Sequence, residues 1–172
     1  MQVANKIVGS LVMAGAIVLS PLGVAQTGTN TASASKQDTT FVAKASAGGM
    51  TEVRASKLAD AQAQSAEIKS FAFLMVADHT KAGDQLSSVA QKDGFAPSTA
   101  PTLAQQRELA HLQTLNGVAF DKAYTAMMSK DHRDTIALFK KEAAAGKNDD
   151  LKSFASETLP TLEHHLDMAQ KL

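Results

Sequence analysis

Glu52, His79, His132 and His165 are side chains of the types that ligate metals or exchange protons, and each falls on a different amphipathic stretch of the chain. On a helical wheel, Glu52 and His79 sit near the centres of their apolar stripes and His165 lies within one. His132 flanks a stripe whose centre is nearer Asp131. Counted from the expected turns at 1.5 Å per residue, all four fall within about 10 Å of one another along a bundle axis. One carboxylate and three imidazoles at one height make a metal-site composition, suited to a single Zn, Fe, Mn or Cu ion. The same residues can instead satisfy one another as a metal-free Glu⁻–His⁺ network, because a buried charge needs a partner.

Several other chemistries are excluded. The chain has no cysteine, which removes disulfides, thiolate metal sites, iron–sulfur clusters and a cysteine nucleophile. A dinuclear carboxylate site of the ferroxidase type needs Glu-x-x-His motifs. Here Glu52 is followed three residues on by Ala55, Glu157 by Pro160 and Glu163 by Leu166. There is no Gly-x-Ser-x-Gly elbow, no phosphate-binding glycine loop and no dinucleotide fingerprint. Asp78 and Asp131 each precede a histidine, but adjacent residues on a helix do not face each other, so they should reach a neighbouring helix or the surface. The 17 basic and 17 acidic residues cancel over 172 residues and are scattered, which argues against nucleic acid as a partner. Met50, Met75, Met127, Met128 and Met168 offer thioethers that would favour Cu(I), although a methionine stripe at helical spacing also serves as core filler.

The elements that must position these residues are helices. Aromatics are only 5% of the chain, and no run of alternating β-branched residues marks a strand. The first helix is expected from an Asp38 N-cap to about Gln64, with an inward stripe of Phe41, Ala45, Gly48, Glu52, Ala55 and Ala59. Gly48-Gly49 within it should mark close approach of a partner helix. A second helix runs from a Ser65 cap to about Asp93, with Gly94 as its stop and Pro97 and Pro101 in the loop beyond. A short third helix is lined by Leu103, Leu109, Leu112 and Leu115 and ends at Asn116-Gly117. The fourth spans about Val118 to Ala145, and Asp149 should cap the fifth, in which Pro160 should introduce a kink. The second and fourth helices share a weak repeat: Phe71, Met75, Asp78-His79 against Tyr124, Met128, Asp131-His132. Four long amphipathic helices and one short one make an all-α bundle.

Residues 1–25 read as a secretory signal peptide, with Lys6, an apolar run Ile7 to Leu19 and small residues at Gly23 and Ala25. The run is too short to span a bilayer, so no integral membrane span is expected after cleavage. Residues 26–37 are Thr, Ser, Ala and Gly with one charge, a composition that gives a disordered spacer. The bundle domain is then 38–172.

The stretches FVAKASAGGMTEV (41–53), KSFAFLMVADHTKA (69–82), LNGVAFDKAY (115–124), MMSKDHRDTIALF (127–139) and LKSFASETLPTLEHHLDMA (151–169) resemble the domain-of-unknown-function family 4142, exported bacterial proteins. The resemblance covers residues 38 to 172. It implies a ferritin-like four-helix bundle with one additional short helix, places Glu52, His79, His132 and His165 on family positions and leaves out His111 and His164. It implies no established activity. Together these readings favour an exported, periplasmic, metal-binding or stress-associated bundle. The alternative is a metal-free structural or interaction module with a Glu/His polar core, and an oxidase-type enzyme at the same site is a third reading. An outer-membrane-associated or extracellular location is the alternative to the periplasm.

Overall fold

In a computed structural model, residues 35–172 are described, and the expected signal peptide and most of the expected spacer lie outside them. Five helices follow in order: α1 (Lys36–Gln62), α2 (Ala66–Lys92), α3 (Leu103–Gln113), α4 (Gly117–Ala145) and α5 (Asp149–Ala169). No strand occurs among the described residues. The fold is a ferritin-like four-helix bundle in which α3 is the additional short helix.

The helix termini explain where the chain turns. Ser65 caps α2 by accepting a hydrogen bond from Ile68 N, as its residue type dictates, and Gly94 follows the end of α2 with φ of 74°. Two expected caps are displaced. Ser35, not Asp38, caps α1, accepting from Asp38 N, so α1 takes in Lys36 and Gln37 from the end of the expected spacer. Asn148, not Asp149, caps α5 by accepting from Leu151 N, and Asp149 and Asp150 occupy the first turn, where carboxylates favour the helix dipole. Gly117 does not close the third helix: α3 ends at Gln113, and Gly117, at φ of 59°, opens α4. Pro160 lies inside an unbroken α5.

Freed from capping its own helix, Asp38 joins the two hairpins. Its carboxylate is buried and accepts hydrogen bonds from Lys147 N (2.8 Å) and Asn148 N (3.1 Å) in the α4–α5 turn. At the opposite end, Asp121 near the start of α4 accepts from Gln64 N and Ser65 N, each at 3.0 Å, in the α1–α2 turn. Each turn is thus held by an aspartate of the other hairpin. These contacts also fix direction: α1 and α5 run one way, α2 and α4 the other. α1 packs most extensively on α2, and α4 on α5, with looser seams between α1 and α4 and between α2 and α5. Because α2 ends at the end opposite the start of α4, the connection carrying α3 must cross the length of the bundle. Ser98 ties this connection to α1 through Ser46 Oγ and the Ala43 carbonyl. Only Leu112 of α3 is buried, and Leu103, expected to line it, is exposed.

The interior is two apolar clusters. One gathers Phe71, Met75, Leu112, Phe120, Tyr124 and Met128, with alanines of α1 beside them. The other gathers Phe41, Val42, Leu86, Phe139, Leu151 and Phe154. Within the second, Phe41 packs edge-on against Phe139, with ring centroids 4.9 Å apart. Close approach does not explain Gly48 and Gly49, since a Cβ at either position would meet no atom within 4 Å.

Candidate metal centre

Between the two apolar clusters lies a layer of four buried polar side chains, one from each long helix: Glu52 of α1, His79 of α2, His132 of α4 and His165 of α5. All four expected residues are brought together. The three imidazole rings form a near-equilateral triangle, with centroids 5.3–5.5 Å apart. One ring nitrogen from each lies within 4.8 Å of the others. His132 faces fully inward and Asp131 is half-buried at its side, the reverse of the helical-wheel reading. The buried positions of α4 run Phe120, Tyr124, Met128, His132, Ile136 at steps of four, so its inward face drifts around the helix as it crosses its neighbours. His111 and His164 are exposed.

Each ring has one nitrogen occupied and one bare. His132 Nδ1 donates to the Met128 carbonyl at 2.9 Å. His165 Nε2 donates to Asp78 Oδ2 at 2.9 Å, across the α2–α5 seam. His79 Nδ1 donates to Glu52 Oε2 at 3.0 Å. The remaining nitrogens, His132 Nε2, His165 Nδ1 and His79 Nε2, are buried and have no hydrogen-bond partner. A histidine whose far N–H is fixed by a carboxylate or a backbone carbonyl, and whose other nitrogen is free, is arranged as a metal ligand. Glu52 is engaged through Oε2, while its Oε1 lies 3.5 Å from His132 Nδ1 and is unpartnered. The structure therefore places Glu52 beside the imidazole triangle, orienting His79.

Electrostatics separate the three imidazoles. Burial, with His79 as a further cause, pushes His165 down to about 4, and burial also lowers His132. Burial pulls His79 down as well, but the charge and hydrogen bond of Glu52, with Asp78 behind, outweigh it and leave His79 above its ordinary value. Burial opposes ionisation of Glu52, but the charge and hydrogen bond of His79, with His132 and His165 behind, outweigh it and leave Glu52 below its ordinary value. Asp131, beside the layer, is raised to about 6 by burial and by the Glu52 charge.

The three histidines form a group that could hold a metal ion. Three neutral imidazoles suit Zn, Cu, Fe or Ni, and two outer carboxylates, Glu52 and Asp78, balance a charge of two. In a tetrahedral site with metal–nitrogen bonds near 2 Å, ligand nitrogens stand about 3.3 Å apart. With nitrogens up to 4.8 Å apart, the triangle would have to close by up to about 1.5 Å on an ion. No carboxylate-bridged dinuclear arrangement is present among the described residues. Met75 and Met128 belong to the apolar cluster below the layer, so their thioethers serve as core.

The family model described as a domain of unknown function, DUF4142, matches residues 23–172. The chain belongs to this family. In fold it is similar to a crystal structure of a DUF305 fragment from Deinococcus radiodurans, with a TM-score of 0.70 and 15% identity over 80% of this chain and 95% of that one. At that identity the likeness speaks for the bundle alone. No curated protein matches the chain. In this DUF4142 chain, sequence reasoning found the polar layer and expected Asp78 to reach a neighbouring helix or the surface, but it assigned no role to the Met128 carbonyl or to the Tyr124–Ser56 hydrogen bond of 2.7 Å beneath the layer. Asp78 does reach a neighbouring helix, α5, where it holds His165.

Proposed function

We propose that this chain is an exported DUF4142 bundle that binds one divalent first-row transition ion on His79, His132 and His165. Glu52, Asp78 and the Met128 carbonyl orient the three rings. The observation that carries the reading is the set of three buried ring nitrogens with no partner. Each unsatisfied buried polar atom costs about 1–3 kcal/mol. Protons alone do not remove the deficit. A neutral His79 leaves a bare acceptor at Nε2, and a charged one leaves a bare donor at the same atom. One cation at the centre of the triangle satisfies all three nitrogens. The signal-like residues 1–25 support export to the periplasm, and no described helix is long and apolar enough to cross a membrane.

A second reading, a metal-free structural or interaction module, is favoured by the Glu52–His79 pair, which is a complete ion pair by itself. Metal content separates the two. Untagged protein incubated with Zn²⁺ or Cu²⁺ and passed through a desalting column should retain one ion per chain, and His79→Ala, His132→Ala and His165→Ala should each lose it. A chelator should lower the Tm of the loaded wild type. If no ion is retained at neutral pH, the metal-free module is the correct reading.

A further inference from the structure

Three imidazoles leave a tetrahedral ion one position short, and a site with three protein ligands keeps that position for an exogenous ligand. Beside the layer lies a cavity of about 40 Å³ whose wall includes His79, His165 and Glu52, together with Gly49, Ala82 and Thr158. About 10–15 Å³ of such volume holds one water, so the cavity holds two or three waters or one ligand of two or three heavy atoms. It is not sealed. Asp78, Ala82, Phe154, Thr158 and Thr161 also line a groove of about 560 Å³ along the α2–α5 seam, and the Asp78 side chain is 35% exposed. The looser of the hairpin seams is thus open down to a residue that holds a ring of the layer.

The cavity also accounts for a glycine. Gly49 sits in mid-helix, where glycine costs about 1 kcal/mol against alanine, and a Cβ there would meet nothing within 4 Å. Its missing side chain does not admit a neighbouring helix; it leaves space beside the imidazoles. Glu52, whose Oε1 is buried and unpartnered, also lines this space and offers an acceptor to a protonated ligand there.

We infer that the centre binds a small exogenous ligand of two or three heavy atoms through an oxygen or nitrogen donor, admitted along the α2–α5 groove and seated in the space left by Gly49. This inference rests on the three-histidine reading, and metal content is therefore measured first. Cu²⁺-loaded protein is titrated with azide. A saturable charge-transfer band in the visible spectrum is expected for wild type. Gly49→Leu, and independently Ala82→Leu, should keep one Cu²⁺ per chain yet weaken azide binding at least tenfold, while Gly49→Ala should weaken it less. Full copper retention without an azide band overturns the open position and leaves the metal reading standing. An azide band of wild-type affinity in both leucine variants overturns the assignment to this cavity. Failure to retain copper sinks both.

Discussion

Asp78 holds His165 through a single 2.9 Å hydrogen bond, and it does so from the rim of an open groove. Outer partners of metal-bound histidines typically contribute 10–100-fold in affinity. Asp78→Ala should therefore weaken Zn²⁺ binding by about that factor, measured by competition with a chromophoric chelator, while Asp131→Ala should change it much less. The protons give a second expectation. His165 sits at about 4 and His132 is lowered, so both rings are already neutral at pH 7, whereas His79 is raised. At pH values below the raised pKa of His79, Zn²⁺ binding should release about one proton, from His79, and affinity should fall there with about unit slope as pH drops. Calorimetry in buffers of different ionisation enthalpy measures this, and a release of three protons would contradict it. At this scale the sequence was a good guide to which residue types meet. It was a poor guide to which atoms do, because the tautomers depend on Met128 O and Asp78, contacts that helical periodicity does not encode.

The two aspartate clamps show how the hairpins are held together. Asp121→Ala removes the acceptor of two partly solvated backbone N–H groups of the α1–α2 turn and should cost about 1 kcal/mol in a denaturant melt. At the other end, Glu142 is buried beside Asp38, and burial together with that carboxylate pushes it up to about 7. The folded chain therefore keeps this proton up to about pH 7, while an unfolded one sheds it near 4.5. The resulting stabilisation is complete below 4.5 and is lost as pH rises through 7. Glu142→Gln should raise Tm by a few degrees at pH 8 and change it little at pH 4.5. Thermal melts at the two pH values check the sign. Helix number, order and approximate ends were legible in the stripes of apolar residues. The caps were legible only where one candidate stood alone, as at Ser65. Asp38 and Asp149 lost to neighbours: Asp38 is required by the other hairpin's turn, and Asn148 stands one position ahead of Asp149 with a side chain that reaches Leu151 N.

At the scale of the whole molecule, the polar layer divides the apolar interior into two clusters, each with its own aromatic contacts. In an ion-free chain, the layer contributes unsatisfied nitrogens where a continuous core would contribute packing. Sub-global openings should then begin at either end and stop at mid-height, so that amides near Phe139 and amides near Phe120 exchange with deuterium at separate free energies. An ion held by α2, α4 and α5 ties both halves to one event. With Zn²⁺ bound, the two sets of amides should converge on a common exchange free energy, raised by the binding term, and a chelator should split them again. The centre would then act as the coupling that makes one folding unit out of two, and loss of the ion would expose one half of the bundle to proteolysis before the other.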